Sequence, residues 1–329
     1  MKDFFKVSSQ RFLRLRSAQK FSGERLMGLY VRMAALFFVL TGLLMLIGYA
    51  IGLYFGDPLA FMLLGLVLAG VLNFVSYYFS DTIVVKMSRA KIIQESDNPT
   101  LHGAVQRVAQ RAGIPMPKVG IVSSPQPNAF ATGRGPQKAV VVATSGILQT
   151  LTPSELEAVI GHEVGHVVHR DVLTSSVAAT IAGVISYIGN IALYSMMFGG
   201  YGGGNNRQGG NPLLLVAAII LVPLGATFVQ LGISRGLEYN ADEYGAKLTG
   251  DPGALASALR KISTKVQTRG IQAGGQGQSS APSPATASLW IVNPFRGSSM
   301  LELFSTHPSI LHRVERLQKI GLEMGVYVQ

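Results

Sequence analysis

The 329-residue chain contains no cysteine and few charged residues, and both absences narrow what it can be. Without cysteine there are no disulfide bonds and no zinc site of the cysteine-ligated kind. Only 14% of the residues are charged and the mean hydropathy is +0.34, which is unusual for a soluble domain and ordinary for a chain with several membrane spans. The composition therefore favours an integral membrane protein, and the lack of cysteine fits a cytoplasmic domain.

Acidic residues are scarce as well. The chain has 17 acidic and 28 basic residues, which gives a net charge of +11. An excess of this size can indicate nucleic-acid binding, but no nucleic-acid-binding motif accompanies it. Its concentration in residues 1–32, before the first apolar run, favours anionic lipid headgroups and argues against nucleic acid. This basic cytoplasmic N-terminal segment is predicted to be either an amphipathic helix at the membrane surface or a disordered tail.

Four apolar runs are each long enough for a helix to cross a bilayer. They pair into two hairpins, 33–79 and 172–232, whose connections contain a single basic residue, Arg207. By the positive-inside rule both termini, and the segments 80–171 and 233–329, lie in the cytoplasm. The runs are approximately Met33 to Phe55, Leu59 to Phe79, Val172 to Phe198 and Leu213 to Gly232.

Residues 162–166 read His-Glu-Val-Gly-His, a pattern that chance would produce in about three of a thousand such compositions. On a helix, His162 and His166 project from one face, where two imidazoles can bind one zinc ion. Glu163 lies on the flank of that face and can reach a water on the metal. A capping box at Thr152 to Glu155 begins a helix where the motif requires one. The alternative is a packed helix without metal.

A catalytic zinc site usually takes three protein ligands, so a third must lie elsewhere in the chain. The metzincin pattern would place glycine and histidine at positions that hold His169 and Val172, and that class is therefore excluded. His169 itself would crowd the metal and is interpreted as a surface or membrane-interface histidine. Glu238 and Asp242 are better candidates for the site, since they are four residues apart and share one side of a second helix.

These motifs resemble the HtpX family of integral-membrane zinc metallopeptidases, whose distant relatives include the CAAX prenyl-protein proteases. The resemblance spans most of the chain, from the first hydrophobic hairpin to the end of the second cytoplasmic segment. It is carried by His162-Glu163-x-x-His166, by Ser234-Arg235-x-x-Glu238-Tyr239-x-Ala241-Asp242, and by Thr306-His307-Pro308-Ser309 followed by Arg313.

The resemblance implies a role for single residues. Glu238 would complete the site of one zinc ion per chain, and Asp242 would orient a ligand histidine by accepting its second N–H. A solvated helix acid is the other interpretation of Glu238. Glu163 would take the proton of the attacking water and pass it to the leaving amine. His307 would stabilise the oxyanion, or else begin a helix without any catalytic part.

Residues 98–144 read as a compact α+β segment. A helix from Asn98 is followed by strands at Lys118 to Val122 and Ala139 to Ala143. Between the strands, Asn128, Ala129 and Phe130 resemble the edge strand beside the family's catalytic cleft, which would bind a substrate peptide as an added strand. An ordinary hairpin is the alternative. After residue 251 the sequence predicts a helix to about Val266 and a mobile loop at 270–288.

Together these features predict a mainly α membrane protein with four transmembrane helices and a cytoplasmic α+β zincin-like (gluzincin) catalytic domain containing a small edge-exposed β-sheet. The predicted activity is zinc-dependent cleavage of protein or peptide substrates, chiefly damaged or misfolded membrane proteins, at the cytoplasmic face of the inner membrane. A prenyl-protein protease, which has more spans, and a non-catalytic zinc-binding membrane protein are the alternatives. An intramembrane protease is disfavoured, because Arg170 and Asp171 close the motif. The sequence does not determine the oligomeric state.

Overall fold

A computed structural model describes residues 2–198, 235–273, 289–291 and 308–328. Within these ranges the chain forms ten α-helices and four β-strands. The helices are α1 (Lys2–Phe55), α2 (Pro58–Tyr78), α3 (Ser80–Met87), α4 (Pro99–Ala112), α5 (Ser145–Thr150), α6 (Pro153–His169), α7 (Asp171–Phe198), α8 (Arg235–Thr249), α9 (Pro252–Ala273) and α10 (Ile310–Glu323). The strands are β1 (Lys91–Ile93), β2 (Lys118–Val122), β3 (Ala129–Thr132) and β4 (Val140–Thr144).

Helices α1 and α2 form a hairpin whose outer surface suits lipid rather than water. Asp57 caps α2 by accepting a hydrogen bond of 3.0 Å from the Ala60 N–H. The helices approach so closely that a Cβ at Gly65 would collide with the α1 backbone. Segments Met27–Leu53 and Pro58–Tyr78 both have a mean hydropathy of 2.3, yet only 22% and 17% of their most apolar stretches are buried. Helices this apolar and this exposed are typical of membrane spans.

Two of the four predicted spans therefore coincide with apolar helices, although the first is displaced from 33–55 to Met27–Leu53. Helix α1 begins at Lys2, so the basic N-terminal segment continues the first span as helix instead of forming a disordered tail. Helix α7 covers the third predicted run, and its segment Asp171–Ile185 is apolar but shorter than a span. The fourth run and the loop before it lie outside the described residues.

The four strands form one mixed sheet in the order β1-β2-β4-β3. Strands β2 and β4 are parallel, while β1 and β3 pair antiparallel at the two edges. Both predicted strands are present, the second one residue later than expected. Strand β3 is the edge strand that the resemblance implied and, within the described ranges, pairs only with β4, but its residues are not exposed to solvent as expected. Every residue of β3 is buried, because α6 and α7 pack over it.

One hydrophobic core joins the two parts of the chain that flank the second predicted hairpin. Helix α6 lies at its centre, with α4, α8, α9 and β3 packed around it. Gly245 allows α8 to approach α6, since a Cβ there would lie 2.6 Å from the His162 backbone nitrogen. Gly161, on the facing helix, meets the Gly245 backbone in the same contact. This close crossing brings side chains of α8 to the histidines of α6.

Helix α9 extends further than the sequence predicts. Asp251 caps it by accepting a hydrogen bond of 2.8 Å from the Ala254 N–H, as expected. The helix then continues past Val266 to Ala273, so the first residues of the predicted 270–288 loop are helical. The rest of that loop lies outside the described residues.

Glu155 ties the beginning of α6 to α9. Its carboxylate accepts hydrogen bonds from the Thr152 N–H at 2.9 Å, the Ser257 hydroxyl at 2.6 Å and the Lys261 ammonium at 2.8 Å. The first of these contacts completes the predicted capping box with Thr152. Burial by itself would raise the pKa of Glu155, but the bonds from Lys261, Ser257 and Thr152 outweigh it and lower this pKa below its ordinary value of 4.5.

We expect Glu155→Gln to reduce the free energy of unfolding by about 1 kcal/mol near neutral pH. Because the folded state lowers the pKa, the carboxylate stabilises the fold above pH 4.5, and this contribution is lost as the pH falls through the lowered value. Melting temperatures of the purified proteins should differ by about 2–4 °C near neutral pH and converge in acid. Glu323→Gln, which changes an exposed acid, is the matched control. An equal difference at both pH values would show that the charge of Glu155 is not responsible.

Candidate metal centre

Helices α6 and α8 bring His162, His166 and Glu238 together. Each offers one ligand atom, and these atoms all lie within 4.8 Å of one another. The Glu238 carboxylate is 3.7 Å from His162 Nε2 and 3.3 Å from His166 Nε2. His162 and Glu238 are buried and His166 is half-buried. Two imidazole nitrogens and one carboxylate, inside a cleft, make the donor set of a catalytic zinc site that keeps one position for water.

A carboxylate stands behind each of the two imidazoles. Asp242 Oδ1 lies 3.0 Å from His162 Nδ1, so an N–H on that nitrogen leaves Nε2 to face the cluster. Asp171 Oδ2 lies 3.6 Å from His166 Nδ1, beyond hydrogen-bonding length. Asp242 was predicted for this position, whereas Asp171 was noted only as a charge that closes the motif. The sequence signal for Asp171 was its position at the start of α7, immediately after the metal helix.

The electrostatics of the cluster favour a positive charge. Burial, the largest influence, lowers the pKa of His166, but the carboxylates of Asp171, Glu238 and Glu163 outweigh it and raise this pKa well above its ordinary value. The same buried acids create a negative potential around the imidazoles, which would also attract a divalent cation. The residues present therefore fit a metal ion.

Arg313 is a fully buried member of the site to which the sequence assigned no role. It reaches the cluster from α10 and donates two hydrogen bonds to Asp242, of 2.8 Å from Nε and 2.6 Å from Nη2. Its Nη1 is 3.4 Å from Glu238 Oε2, and Nη2 is 3.4 Å from His162 Nε2. Burial lowers the pKa of Arg313, but the negative charges of Asp242, Glu238 and Glu163 outweigh it and raise this pKa. The guanidinium thus fixes the positions of the Asp242 and Glu238 carboxylates relative to each other.

We expect Arg313→Lys to weaken zinc binding by about 10- to 100-fold, the usual effect of losing a group that orients ligands. Lysine keeps the charge but cannot make the paired hydrogen bonds to Asp242. Competition with a fluorescent zinc chelator measures the affinity. Arg316→Lys is the matched control, because Arg316 bridges the same two helices through Glu243 at 3.1 Å but is partly exposed. Equal affinity in Arg313→Lys and the wild type would contradict this role.

Glu163 stands beside the cluster and is held there by the edge strand. Its Oε2 accepts a hydrogen bond of 2.9 Å from the Ala131 N–H. Burial and the negative charge of Glu238 raise the pKa of Glu163, and they outweigh the opposing effects of His162, His166 and the Ala131 N–H. A buried carboxylate with a raised pKa beside a metal site has the character of a general base.

A narrow cleft, with about 50 Å³ open to water-sized molecules, lies beside these side chains. Its reacting side is polar, while strand β3, helices α7 and α8, and the buried segment Leu289–Ile291 supply mostly apolar walls. The lining residues are Phe130, Ala131, His162, Glu163, His166, Asp171, Val172, Ser175, Leu237, Glu238, Leu289, Trp290 and Ile291.

The remaining predicted site residues fall in different places. The Asn128 side chain binds the chain's own backbone, donating to the Leu289 carbonyl at 3.2 Å and accepting from the Ile291 N–H at 3.0 Å. Phe130 lines the cleft, and Ala129 is fully buried in β3. His307 lies outside the described residues.

Among the described residues, the cluster of His162, His166 and Glu238 does not include His169. Its ring instead contacts Tyr244 edge-on, with the ring centroids 5.3 Å apart.

Comparison with known proteins identifies the family. The model of peptidase family M48 matches residues 95–321. A relative from Pyrococcus furiosus named Protease HtpX homolog is 49% identical over 299 residues, which cover 91% of this chain and 98% of that protein. The chain belongs to peptidase family M48. A second M48 relative with the same name, from Aquifex aeolicus, is 45% identical and covers 87% of this chain and 91% of its own length.

Membership of family M48 confirms the resemblance to HtpX proteases that the motifs indicated. The chain, which has two apolar helices, is therefore a membrane-bound metalloprotease. This excludes the alternative of a non-catalytic zinc-binding membrane protein. Among solved structures, the Ste24p of S. mikatae is 18% identical with a TM-score of 0.42, covering 89% of this chain and 66% of that protein. That score is too low to establish a shared fold.

Proposed function

We propose that this M48 peptidase is a zinc endopeptidase that cleaves damaged or misfolded membrane proteins at the cytoplasmic surface of the inner membrane. The observation that carries the proposal is the cluster of His162, His166 and Glu238 beside Glu163, at the point where α6 meets α7. Helix α7 begins at Asp171, directly after the metal helix, and leads into the third predicted span. The reacting groups would therefore lie next to the bilayer.

Each residue of the site has a part in peptide hydrolysis. A zinc ion held by His162, His166 and Glu238 would lower the pKa of water and polarise the scissile carbonyl. Glu163 accepts the proton of the attacking water and delivers it to the leaving amine, and the raised pKa of its carboxyl makes it a stronger base. Asp242 holds the orientation of His162.

His307 is the proposed donor to the oxyanion that forms when water attacks the carbonyl. Its support is the motif alone, because the residue itself lies outside the described ranges. Helix α10, which begins three residues after it, carries Arg313 into the cluster.

Strand β3 supports backbone recognition of the substrate. The Thr144 N–H donates to the Asn128 carbonyl at 2.9 Å, so residues 128, 130 and 132 direct their backbone groups at β4. Ala129 and Ala131 turn theirs away, toward the side where the Ala131 N–H meets Glu163. A peptide that pairs along this side of β3 would pass the base and the metal ligands. Recognition of backbone more than sequence suits an enzyme with many misfolded substrates.

The topology is supported by where the ligands meet. His166 and Glu238 lie in one cluster, so both ends of the chain between them lie on the same side of the membrane. A hairpin of two spans at 172–232 satisfies this condition, and the positive-inside rule places its ends in the cytoplasm.

The absence of cysteine makes the topology easy to test. We expect Asn205→Cys, in the loop of the second predicted hairpin, to react with a membrane-impermeant maleimide in intact spheroplasts. Gln110→Cys, on an exposed position of α4, should react only after the membrane is opened. The reverse pattern would place the metal centre outside the cell.

The proposed substrate class is tested by reconstituting the zinc-loaded peptidase in proteoliposomes with a destabilised membrane protein. An unfolded soluble protein at the same concentration is the comparison substrate. We expect the membrane protein to be cut faster, and all cleavage to stop on addition of chelator. Equal or faster cleavage of the soluble protein would contradict the assignment to membrane-protein quality control.

A further inference from the structure

Trp290 is the only tryptophan in the chain, and it lines the cleft that contains the metal cluster. It is separated in sequence from every motif that identified the site. Its neighbours Leu289 and Ile291 line the same cleft, and all three residues are buried. Trp290 has no part in the hydrolysis described above, so its place in the cleft points to another function.

The segment around Trp290 is fixed on both sides. Leu289 packs in the cluster that includes Phe130 and Val142, on one face of the sheet. Ile291 packs in the main core around α6. The two flanking residues are therefore packed in separate hydrophobic clusters, which hold Trp290 in the wall of the cleft.

Two hydrogen bonds with the Asn128 side chain also hold this segment. The side-chain amide bonds the backbone on both sides of Trp290, at 3.2 Å to the Leu289 carbonyl and 3.0 Å from the Ile291 N–H. An amide can donate and accept at the same time from one planar group. Asn128 also directly precedes β3, the strand whose Ala131 N–H contacts Glu163. The position of Trp290 is thereby set relative to the base.

The cleft that Trp290 lines has an apolar part as well as a charged one. Phe130, Val172 and Leu237 line the cleft with it, whereas the charged groups of the cleft belong to the metal cluster and its acids. A pocket of this composition gains free energy by taking apolar surface out of water and loses it when a charged side chain enters.

We propose that Trp290, positioned by Asn128, forms an apolar subsite that binds a bulky aliphatic or aromatic side chain of the substrate next to the scissile bond. This rests on the proposed function, because it assumes that a peptide lies along β3 past Glu163. The subsite adds a side-chain preference to backbone recognition. It selects the leucine-rich and phenylalanine-rich segments that membrane proteins offer and that soluble surfaces seldom expose.

Binding is tested by the fluorescence of the single tryptophan in zinc-loaded Glu163→Gln, which is expected not to cleave. Two tryptophan-free peptides are titrated that differ only in a central leucine or alanine. We expect the leucine peptide to shift the Trp290 emission and to bind about tenfold more tightly than the alanine peptide. Equal affinities, or a leucine peptide that binds without changing the emission, would overturn the subsite.

Selectivity is tested by cleavage of the same peptides. We expect Trp290→Ala to reduce the leucine-to-alanine ratio of kcat/KM by about tenfold, and Trp290→Phe to restore most of it. Tyr327→Ala, which truncates an aromatic residue that is 82% exposed, should leave the ratio unchanged. An unchanged ratio in Trp290→Ala would contradict the proposal.

The part of Asn128 is tested with Asn128→Asp, which keeps an acceptor for Ile291 but loses the donor to Leu289. We expect a red-shifted Trp290 emission, stronger quenching by acrylamide and a lower leucine-to-alanine ratio, with zinc content unchanged. Wild-type emission and quenching in a folded Asn128→Asp protein would remove Asn128 from the positioning role.

The two levels of the proposal fail in different ways. A wild type that cleaves neither peptide, together with a leucine preference in the binding titration, would contradict the proposed hydrolysis and leave the subsite intact. Chelator-sensitive cleavage that does not depend on Trp290 would support the proposed hydrolysis and contradict the subsite.

Discussion

Glu163→Gln should reduce kcat/KM for peptide hydrolysis by about a thousandfold while the protein keeps one zinc ion per chain. Glutamine has nearly the same shape and can still accept the Ala131 hydrogen bond that holds Glu163 at 2.9 Å, but it cannot take a proton from water. The metal ligands are unchanged by this substitution. Hydrolysis of a fluorogenic peptide, with zinc measured by atomic emission on the same sample, gives both quantities.

The matched control for Glu163→Gln is Glu157→Gln, six residues earlier on α6. Glu157 faces Arg107 and Arg111 at 2.7 and 2.8 Å, away from the cleft, so this variant should keep its activity. Full activity in Glu163→Gln would remove Glu163 as the base. Loss of zinc together with activity would instead make Glu163 a ligand.

Glu238→Ala should lose zinc as well as activity, with the zinc affinity reduced by more than about 100-fold. The substitution leaves only two protein ligands, and it also removes a carboxylate 3.4 Å from the buried Arg313 guanidinium. With Asp242 as its remaining acidic partner, the buried guanidinium would repel the metal more strongly than in the wild type. Equilibrium dialysis against buffered zinc measures the affinity, and the melting temperature shows whether the variant is folded.

Glu243→Ala is the matched control on the same helix. Glu243 pairs with Lys247 at 2.6 Å and Arg316 at 3.1 Å on the outer side of α8, and we expect zinc content and activity to be retained. A Glu238→Ala protein that binds one zinc ion per chain and cleaves peptide would exclude Glu238 as the third ligand.

The parts of the site that were predictable from the sequence are those with a local signal. The capping box at Thr152 sets the start of α6, and helical periodicity then places His162 and His166 on one face. Glu238 and Asp242 have the same spacing on α8. What periodicity could not supply was the meeting of the two helices, which depends on the glycine contact between α6 and α8. The family resemblance provided that step.

The parts that were missed depend on contacts between distant residues. Arginine is usually at the surface, so the complete burial of Arg313 could not be inferred without its partner Asp242, 71 residues away. Asn128 and Leu289 are 161 residues apart, and neither is flanked by a pattern that indicates their hydrogen bond. Strand β1 has only three residues, too few for an alternating pattern.

The prediction from amino-acid composition was wrong at the end of α9, where the helix continues into glycine-containing sequence. The glycine and glutamine residues near position 270 resemble a loop, but α9 carries its hydrogen-bonding pattern on to Ala273. For the basic residues before the first span the sequence left a surface helix and a disordered tail open, and they continue α1 as helix. A helix already nucleated by a long apolar segment extends into sequence that would not form one alone.

Removal and return of zinc tests the central claim most directly, namely that the cluster of His162, His166 and Glu238 supplies the metal for peptide hydrolysis. Purified wild-type protein is assayed with a fluorogenic peptide before chelation, after chelation and dialysis, and after one equivalent of zinc is added back. We predict that activity falls in proportion to zinc content and returns with it. Activity that persists in protein stripped of zinc would contradict the assignment.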